Sequence, residues 1–369
     1  MKQVIMEINF NVLDRQYDQF KSEFEEVALR VLRSGWYVLG PEVKLFEKEF
    51  AHFVGSDHVV GLNSGLDALI LAFRALEIGE GDEVIAPANT YIASLLGITE
   101  NRATPILVEP DEFYNIDADK IEKKITKNTK AVLVVHLYGQ PANVEKIKLI
   151  CEKYNLYLIE DCAQSHGAMV GNKMTGSFGD VGCFSFYPTK NLGAFGDAGA
   201  IATSNMELAQ KIKMLRNYGS EKKYHHDVEG VNSRLDELQA ALLQVKLKHF
   251  EKYQIAREYI VFRYLSEINN SKIVLPKTKF GMKHVWHLFV IQTKDRDDLQ
   301  NYLVQNGIQT MVHYPIPPHL SGAYKKFQYS EGDFPITEKY AREILSLPLY
   351  PGMTEDEISY VIKIINSYK

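Results

Sequence analysis

The chain has 369 residues, 46% of them hydrophobic, which is enough for a large core and for two or three domains. Its 42 Lys and Arg stand against 47 Asp and Glu, a net charge of −5 with the two signs interspersed, and this argues against nucleic acid as a partner. The three cysteines, Cys151, Cys162 and Cys183, form no C-x-x-C pair, so neither a disulfide framework nor a zinc or iron–sulfur site is expected.

The N-terminal "MKQVIMEINFNV" carries Glu7 inside its apolar stretch, unlike a secretory leader. No apolar run approaches the roughly 20 residues of a membrane span. A cytoplasmic protein with no membrane partner is expected. Residues 14–33 place Tyr17, Phe20, Phe24, Val27 and Val31 at helical spacing before Gly35. A second helix should start at Pro41, with Leu45, Phe46, Phe50 and Phe53 on its apolar side. Strands and helices then alternate. "HVVGLNSG", "DEVIAPANTY", "ATPILVEP", "AVLVVHLYG" and "LYLIEDCAQ" predict strands, with "LDALILAFRAL", "IASLLGIT" and "EKIKLICEKYN" as helices between them. Continuously apolar strands separated by helices predict a mostly parallel sheet covered on both faces. "CFSFYP" and "GAIATS" add two strands around Lys190. From residue 233 a long helical run begins, followed by "WHLFVIQT", a helix in "RDDLQNYLVQNG", "TMVHYP" and a C-terminal helix. The expected division is a large domain over 1–250, including the N-terminal helices, and a small α/β domain over 251–369.

In an open parallel sheet, ligands gather at the carboxyl ends of the strands. Four elements fall there. In "NSGLDAL" (63–69) a strand runs into a helix through Ser64 and Gly65, and the free amides there suit a phosphate; an ordinary N-cap has the same sequence. In "IEDCAQ" (159–164) two acids end an apolar strand. Asp161 suits a cationic ring nitrogen, and a helix cap or salt bridge suits it too. Lys190 follows Ser185 and precedes Gly193, Gly196 and Gly199. A partly buried lysine can attack an aldehyde; a surface loop lysine is the plain alternative. Tyr91, just past a strand in "PANTYIAS", can stack on a planar ring or simply pack in the core. Together a phosphate cradle, a stacking ring, an acid for a pyridine nitrogen and a Schiff-base lysine are what pyridoxal 5′-phosphate (PLP) requires.

The motifs "SGWYVLGPEVKLFEKEFA", "NSGLDAL", "PANTYIAS", "EDCAQSHGA", "FSFYPTKNLGAFGDAGA", "GVNSRLDELQAA" and "HYPIPPH" run through essentially the whole chain. In them the sequence resembles the DegT/DnrJ/EryC1/StrS nucleotide-sugar aminotransferases. Its lysine segment is most similar to the branch that aminates C3 of dTDP-3-keto-6-deoxyhexoses. The resemblance implies an α/β fold like that of aspartate aminotransferase, with PLP cycling through pyridoxamine phosphate, and glutamate and a nucleotide-linked keto sugar as substrates. It implies that Lys190 bonds the cofactor, Asp161 holds the pyridine nitrogen and Gln164 the ring oxygen. Tyr91 stacks on the ring, while Gly65, Leu66 and Ser185 bind the phosphate. Asn232 reaches that phosphate from the neighbouring subunit of a homodimer, and Tyr187, His313 and Tyr314 line the sugar and diphosphate side. Relatives that dehydrate the sugar carry a histidine where Lys190 stands, which sets them apart. C4 amination of a dTDP- or UDP-4-keto-6-deoxyhexose is the alternative within the aminotransferases, and a non-catalytic sensor of a pyridoxal or sugar ligand is the alternative outside them. His166 is expected to pack, His225 and His226 to lie in a solvated loop, and Trp36 and Tyr37 either to stack on the base or to pack.

Overall fold

The computed structural model describes residues 5–222 and 224–369. The expected first helix is two, α1 (Asp14–Asp18) and α2 (Lys21–Ser34), because Phe20 leaves helical geometry at φ −135°, ψ 28°. Pro41, with its fixed φ and no N–H to lose, opens α3 (Pro41–Val54). Phe46 and Phe50 of α3 are buried, whereas Leu45, expected beside them, is exposed.

The alternation follows as β1 (His58–Leu62), α4 (Gly65–Ala75), β2 (Glu83–Pro87), α5 (Ile92–Thr99), β3 (Thr104–Val108), α6 (Ala118–Ile121), β4 (Thr129–Val135), α7 (Val144–Tyr154) and β5 (Tyr157–Asp161). A small hairpin of β6 (Met169–Val170) and β7 (Lys173–Met174) precedes β8 (Val181–Ser185), β9 (Gly199–Thr203) and α8 (Met206–Leu215). The main sheet has the order β1-β9-β8-β5-β4-β2-β3. Only β9 opposes its neighbours; the other strands all point the same way. Alternate residues feed two cores. Val84, Ala86, Ala131 and Leu133 pack with α4 and α8 on one face. Ile85, Val132 and Val134 pack with α7 on the other. Burial on both faces is why these strands read as unbroken apolar runs.

The long helical run breaks at His249 (φ −105°, ψ 11°) into α9 (Glu237–Lys248) and α10 (Phe250–Glu267). Then come β10 (Met282–Lys283), β11 (Phe289–Gln292), α11 (Arg296–Gln305), α12 (Pro335–Glu343), β12 (Ile344–Leu347) and α13 (Glu355–Ser367). Strands β11 and β12 pair antiparallel, and Tyr264, Phe289, Leu299, Leu345 and Ile358 close a separate core around them. Ile8 belongs to that core and exchanges backbone hydrogen bonds with Gly307 and Gln309. Arg15 adds an ion pair with Glu357 at 2.6 Å. The N-terminal segment therefore packs on the C-terminal unit, although the sequence places it with residues 1–250. "TMVHYP" is an extended wall carrying a single bridge, Met311 to Ser346, rather than a strand.

Candidate active site

Strands that point one way bring the ends of β1, β2, β5 and β8 to one edge, where β9 enters. A cavity of about 670 Å³ opens there. Its walls include Gly65, Leu66, Tyr91, Asp161, Gln164, Ser185, Tyr187, Lys190, His313 and Tyr314. Asn232 is the exception. It is exposed on a segment paired back to Asn217, outside this cavity.

The cradle is built by register and by missing side chains. Gly199 pairs with both Leu62 and Ser185, which draws the three strand ends together. A Cβ on Gly65 would sit 2.4 Å from Cβ of Ser185, and one on Gly199 would sit 2.2 Å from the Ser64 carbonyl oxygen. Ser64 caps α4, its Oγ accepting from the Asp67 amide at 3.1 Å. The first helical bond runs from the Ala68 amide to the Ser64 carbonyl, so the amides of Gly65 and Leu66 precede the ladder and face the edge.

The two acids of β5 face opposite ways, as strand alternation requires. Glu160 accepts from the amides of Gly176, Phe178 and Gly179 and bonds His136 Nε2 at 3.0 Å. Burial pushes its carboxyl up, but His136 and the amides outweigh that and hold it below the usual range. The ligand atoms of His136, Glu160 and Cys162 lie within 4.8 Å of one another, close enough for a metal. His136 Nδ1, however, accepts from the Ala142 amide, so both ring nitrogens already have partners. Asp161 faces the cavity. Its Oδ2 accepts from Ser94 Oγ at 2.7 Å and its Oδ1 from the Ala163 amide at 3.1 Å. Burial still raises its pKa, the Ser94 and Ala163 hydrogen bonds opposing. Such a carboxylate is short of a cation.

Lys190 is half-buried in a loop that folds back on itself. Its amide bonds the Tyr187 carbonyl at 2.8 Å, and the Ala194 amide bonds Phe186 at 2.7 Å. A Cβ on Gly193 would meet the Pro188 carbonyl at 2.4 Å, so that turn requires glycine. Burial lowers the Lys190 pKa to about 8, against the pull of Asp161. Tyr91 and Tyr314 face each other with centroids 5.0 Å apart. Gln164 is held at both ends, Oε1 accepting from the Tyr138 amide at 2.6 Å and Nε2 donating to the Tyr314 hydroxyl at 3.1 Å. His313 bonds Ser346 through Nδ1 at 2.9 Å; burial and Lys190 bring its pKa to about 4. His166 is fully buried between Phe184 and Phe186, with a pKa of about 3, a packing residue as expected. Trp36, Tyr37, His225 and His226 are exposed.

Sequence reasoning missed Ser94, Asn191 and His287. Ser94 stands one helical turn after Tyr91 at the start of α5, and that spacing could have revealed it. Asn191 and His287 meet across 96 positions with no local signal.

These residues fit PLP: a buried acid in want of a ring N–H, amides and a hydroxyl for a phosphate, and an amine able to lose its proton near neutrality. Fold and site define a PLP-dependent enzyme. The chain belongs to the DegT/DnrJ/EryC1/StrS aminotransferase family, whose sequence profile matches residues 18–366. It is an aminotransferase. It is 52% identical over 351 residues to the dTDP-3-amino-3,6-dideoxy-α-D-galactopyranose transaminase of Aneurinibacillus thermoaerophilus, covering 95% of this chain and 96% of that one. It superposes on Streptomyces venezuelae DesV, solved with a ketimine intermediate, at a TM-score of 0.96 and 45% identity, covering 98% of each chain. Bacillus subtilis NtdA, with its cofactor PMP bound, matches at a TM-score of 0.92 and 33% identity, covering 99% of this chain and 85% of that one.

Proposed function

We propose that the protein transfers the amino group of glutamate to C3 of a dTDP-3-keto-6-deoxyhexose. The product is a dTDP-3-amino-3,6-dideoxyhexose for surface-glycan or related deoxysugar synthesis. The observation that carries C3 and the dTDP group is the 52% identity, over nearly the full length of both chains, to a transaminase named for such a product.

When bound, PLP supplies an electron sink and carries the amino group between the two substrates. The chain's own residues do the rest. Lys190 Nζ bonds the cofactor and, once displaced, takes the proton from Cα of glutamate and later delivers one to C3 of the sugar. Its lowered pKa suits both tasks. Asp161 keeps the ring nitrogen protonated by opposite charge. The amides of Gly65 and Leu66 and the Ser185 hydroxyl hold the phosphate, with Asn232 reaching it from a second copy of the chain. Gln164 holds the ring oxygen and Tyr91 covers the ring. Tyr187, His313 and Tyr314 face the sugar and diphosphate. Asn232, exposed and outside the cavity of its own chain, supports a homodimer with shared sites. The proposed place of work is the cytoplasm. Among the described residues no helix is long and apolar enough to cross a membrane.

The test is absorbance followed by product analysis. The holoenzyme's visible band should bleach on addition of glutamate and return on addition of the keto sugar, and NMR of the product should show nitrogen at C3. A band indifferent to glutamate overturns the donor. Nitrogen at C4 overturns the regiochemistry.

A further inference from the structure

His287 stands in the cavity wall, next to Leu288 and against Asn191 of the Lys190 loop. Its ring is fixed from behind. Asn191 Nδ2 donates to the Val285 carbonyl at 2.8 Å, which turns the Asn191 carbonyl oxygen toward His287. His287 Nδ1 lies 3.1 Å from that oxygen. An amide oxygen has no proton to give, so Nδ1 carries the hydrogen and Nε2 keeps a bare lone pair. Among the described residues the side-chain hydrogen bond of His287 is made through Nδ1, and Nε2 has none. The backbone behind the ring is equally constrained. The Val285 amide bonds the Gly139 carbonyl at 3.0 Å, and a Cβ on Gly139 would meet the backbone nitrogen of His287 at 2.9 Å.

A neutral ring that only accepts selects among the two substrates. Glutamate's carboxylates are acceptors and gain nothing from it, and its one donor, the amino group, is the group being transferred. A keto hexose carries hydroxyl donors beside its ketone. We infer that His287 is a substrate-binding residue for the sugar, its Nε2 accepting a hydrogen bond from a hydroxyl that flanks the C3 ketone, and that Asn191 is the positioning residue that fixes its tautomer. The inference rests on the proposed sugar substrate and adds a specificity contact to it. Burial and the Lys190 charge hold His287 far below its usual pKa, so the ring stays an acceptor throughout the working range.

The test uses the full-length holoenzyme and two His287 substitutions. Calorimetry measures binding of an unreactive dTDP-6-deoxyhexose, bearing a hydroxyl in place of the C3 ketone, with dTDP alone as the reference. In His287→Phe the sugar nucleotide should bind about tenfold more weakly, with dTDP affinity changed less than about twofold. His287→Gln, which can still offer a carbonyl oxygen, should recover most of the loss. The glutamate half-reaction, followed by absorbance, reports whether each variant is folded and loaded. The half-reaction with keto sugar should slow by about the same tenfold. Equal losses for dTDP and the sugar nucleotide, or no loss for either, overturn the role of His287. A wild-type enzyme that binds neither overturns the substrate itself, a different result from either of those.

Discussion

Lys190 and Asp161 are each displaced from their ordinary titration by the same cause. Burial disfavours charge, so the lysine falls to about 8 and the acid rises. Their mutual attraction opposes both shifts without cancelling either. An ordinary lysine, with a pKa of about 10.4, is well under 1% free amine at pH 8. Lys190 is about half free there, and its reactive fraction grows as pH rises through 8. In protein stripped of cofactor, labelling of the Lys190 peptide by an amine reagent should titrate with a midpoint near pH 8, and PLP should block it. Lys246 provides the internal control. Burial and Arg257 also lower it to about 8, but its ammonium lies over the Phe195 ring at 4.7 Å, and PLP should leave its labelling unchanged. A Lys190 midpoint above pH 10 would show that burial does not activate this amine. Replacing Lys190 with Ala should abolish turnover. Asp161→Asn removes the charge while keeping size and a hydrogen-bond acceptor. It should slow the glutamate half-reaction by at least about 100-fold, read by stopped-flow absorbance, with cofactor still attached.

At the level of elements the cradle is a packing contact between the start of α4 and the ends of β8 and β9. Gly65→Ala would push α4 from β8 through Ser185, at 2.4 Å from its Cβ. The expected result is a loss of cofactor affinity of at least tenfold, with about 1–3 kcal/mol of stability lost through overpacking. Equilibrium dialysis against PLP and thermal melts of the cofactor-free protein check the two parts. Gly322, with nothing within 4 Å of its Cβ position, is the control for alanine substitution itself. The same elements show what a sequence can reveal. Strands β1 to β5 are legible because burial on both faces leaves their central residues continuously apolar, and Gly65 and Asp161 are legible because they sit where such runs stop. The breaks at Phe20 and His249 are not, because helical spacing continues across both and only backbone angles mark them. The two-residue strands β6, β7 and β10 are too short to establish a period. The His287–Asn191 contact is a property of the closed fold, and no window of sequence contains it.

For the whole molecule, among the described residues the cavity as one chain builds it holds a single lysine or arginine side chain, Lys190, while its proposed ligands carry phosphates and carboxylates. Asn232 lies outside that cavity, yet the segment bearing it is tied to the cradle's own helix. Ser233 Oγ donates to Asp67 at 2.7 Å and accepts from the Asn63 amide at 3.2 Å. A segment rooted beside one cradle and exposed at Asn232 is well placed to serve a second. The proposed shared site can be tested by complementation. Lys190→Ala removes the cofactor bond, and Asn232→Asp sets a negative charge against the phosphate, so each variant alone should be nearly inactive. Mixed one to one and allowed to exchange subunits, about half the dimers should hold one copy of each. In such a dimer one site combines both substitutions, and the other combines the intact Lys190 of one chain with the intact Asn232 of its partner. Activity should recover to roughly a quarter of wild type, since one site in two works in half of the dimers. If Asn232 instead served the site of its own chain, each site in the mixed dimer would carry one lesion and the mixture would stay as inactive as its parts. Tagged subunits and sedimentation verify that exchange occurred, so a silent mixture of proven heterodimers would rule out the shared site.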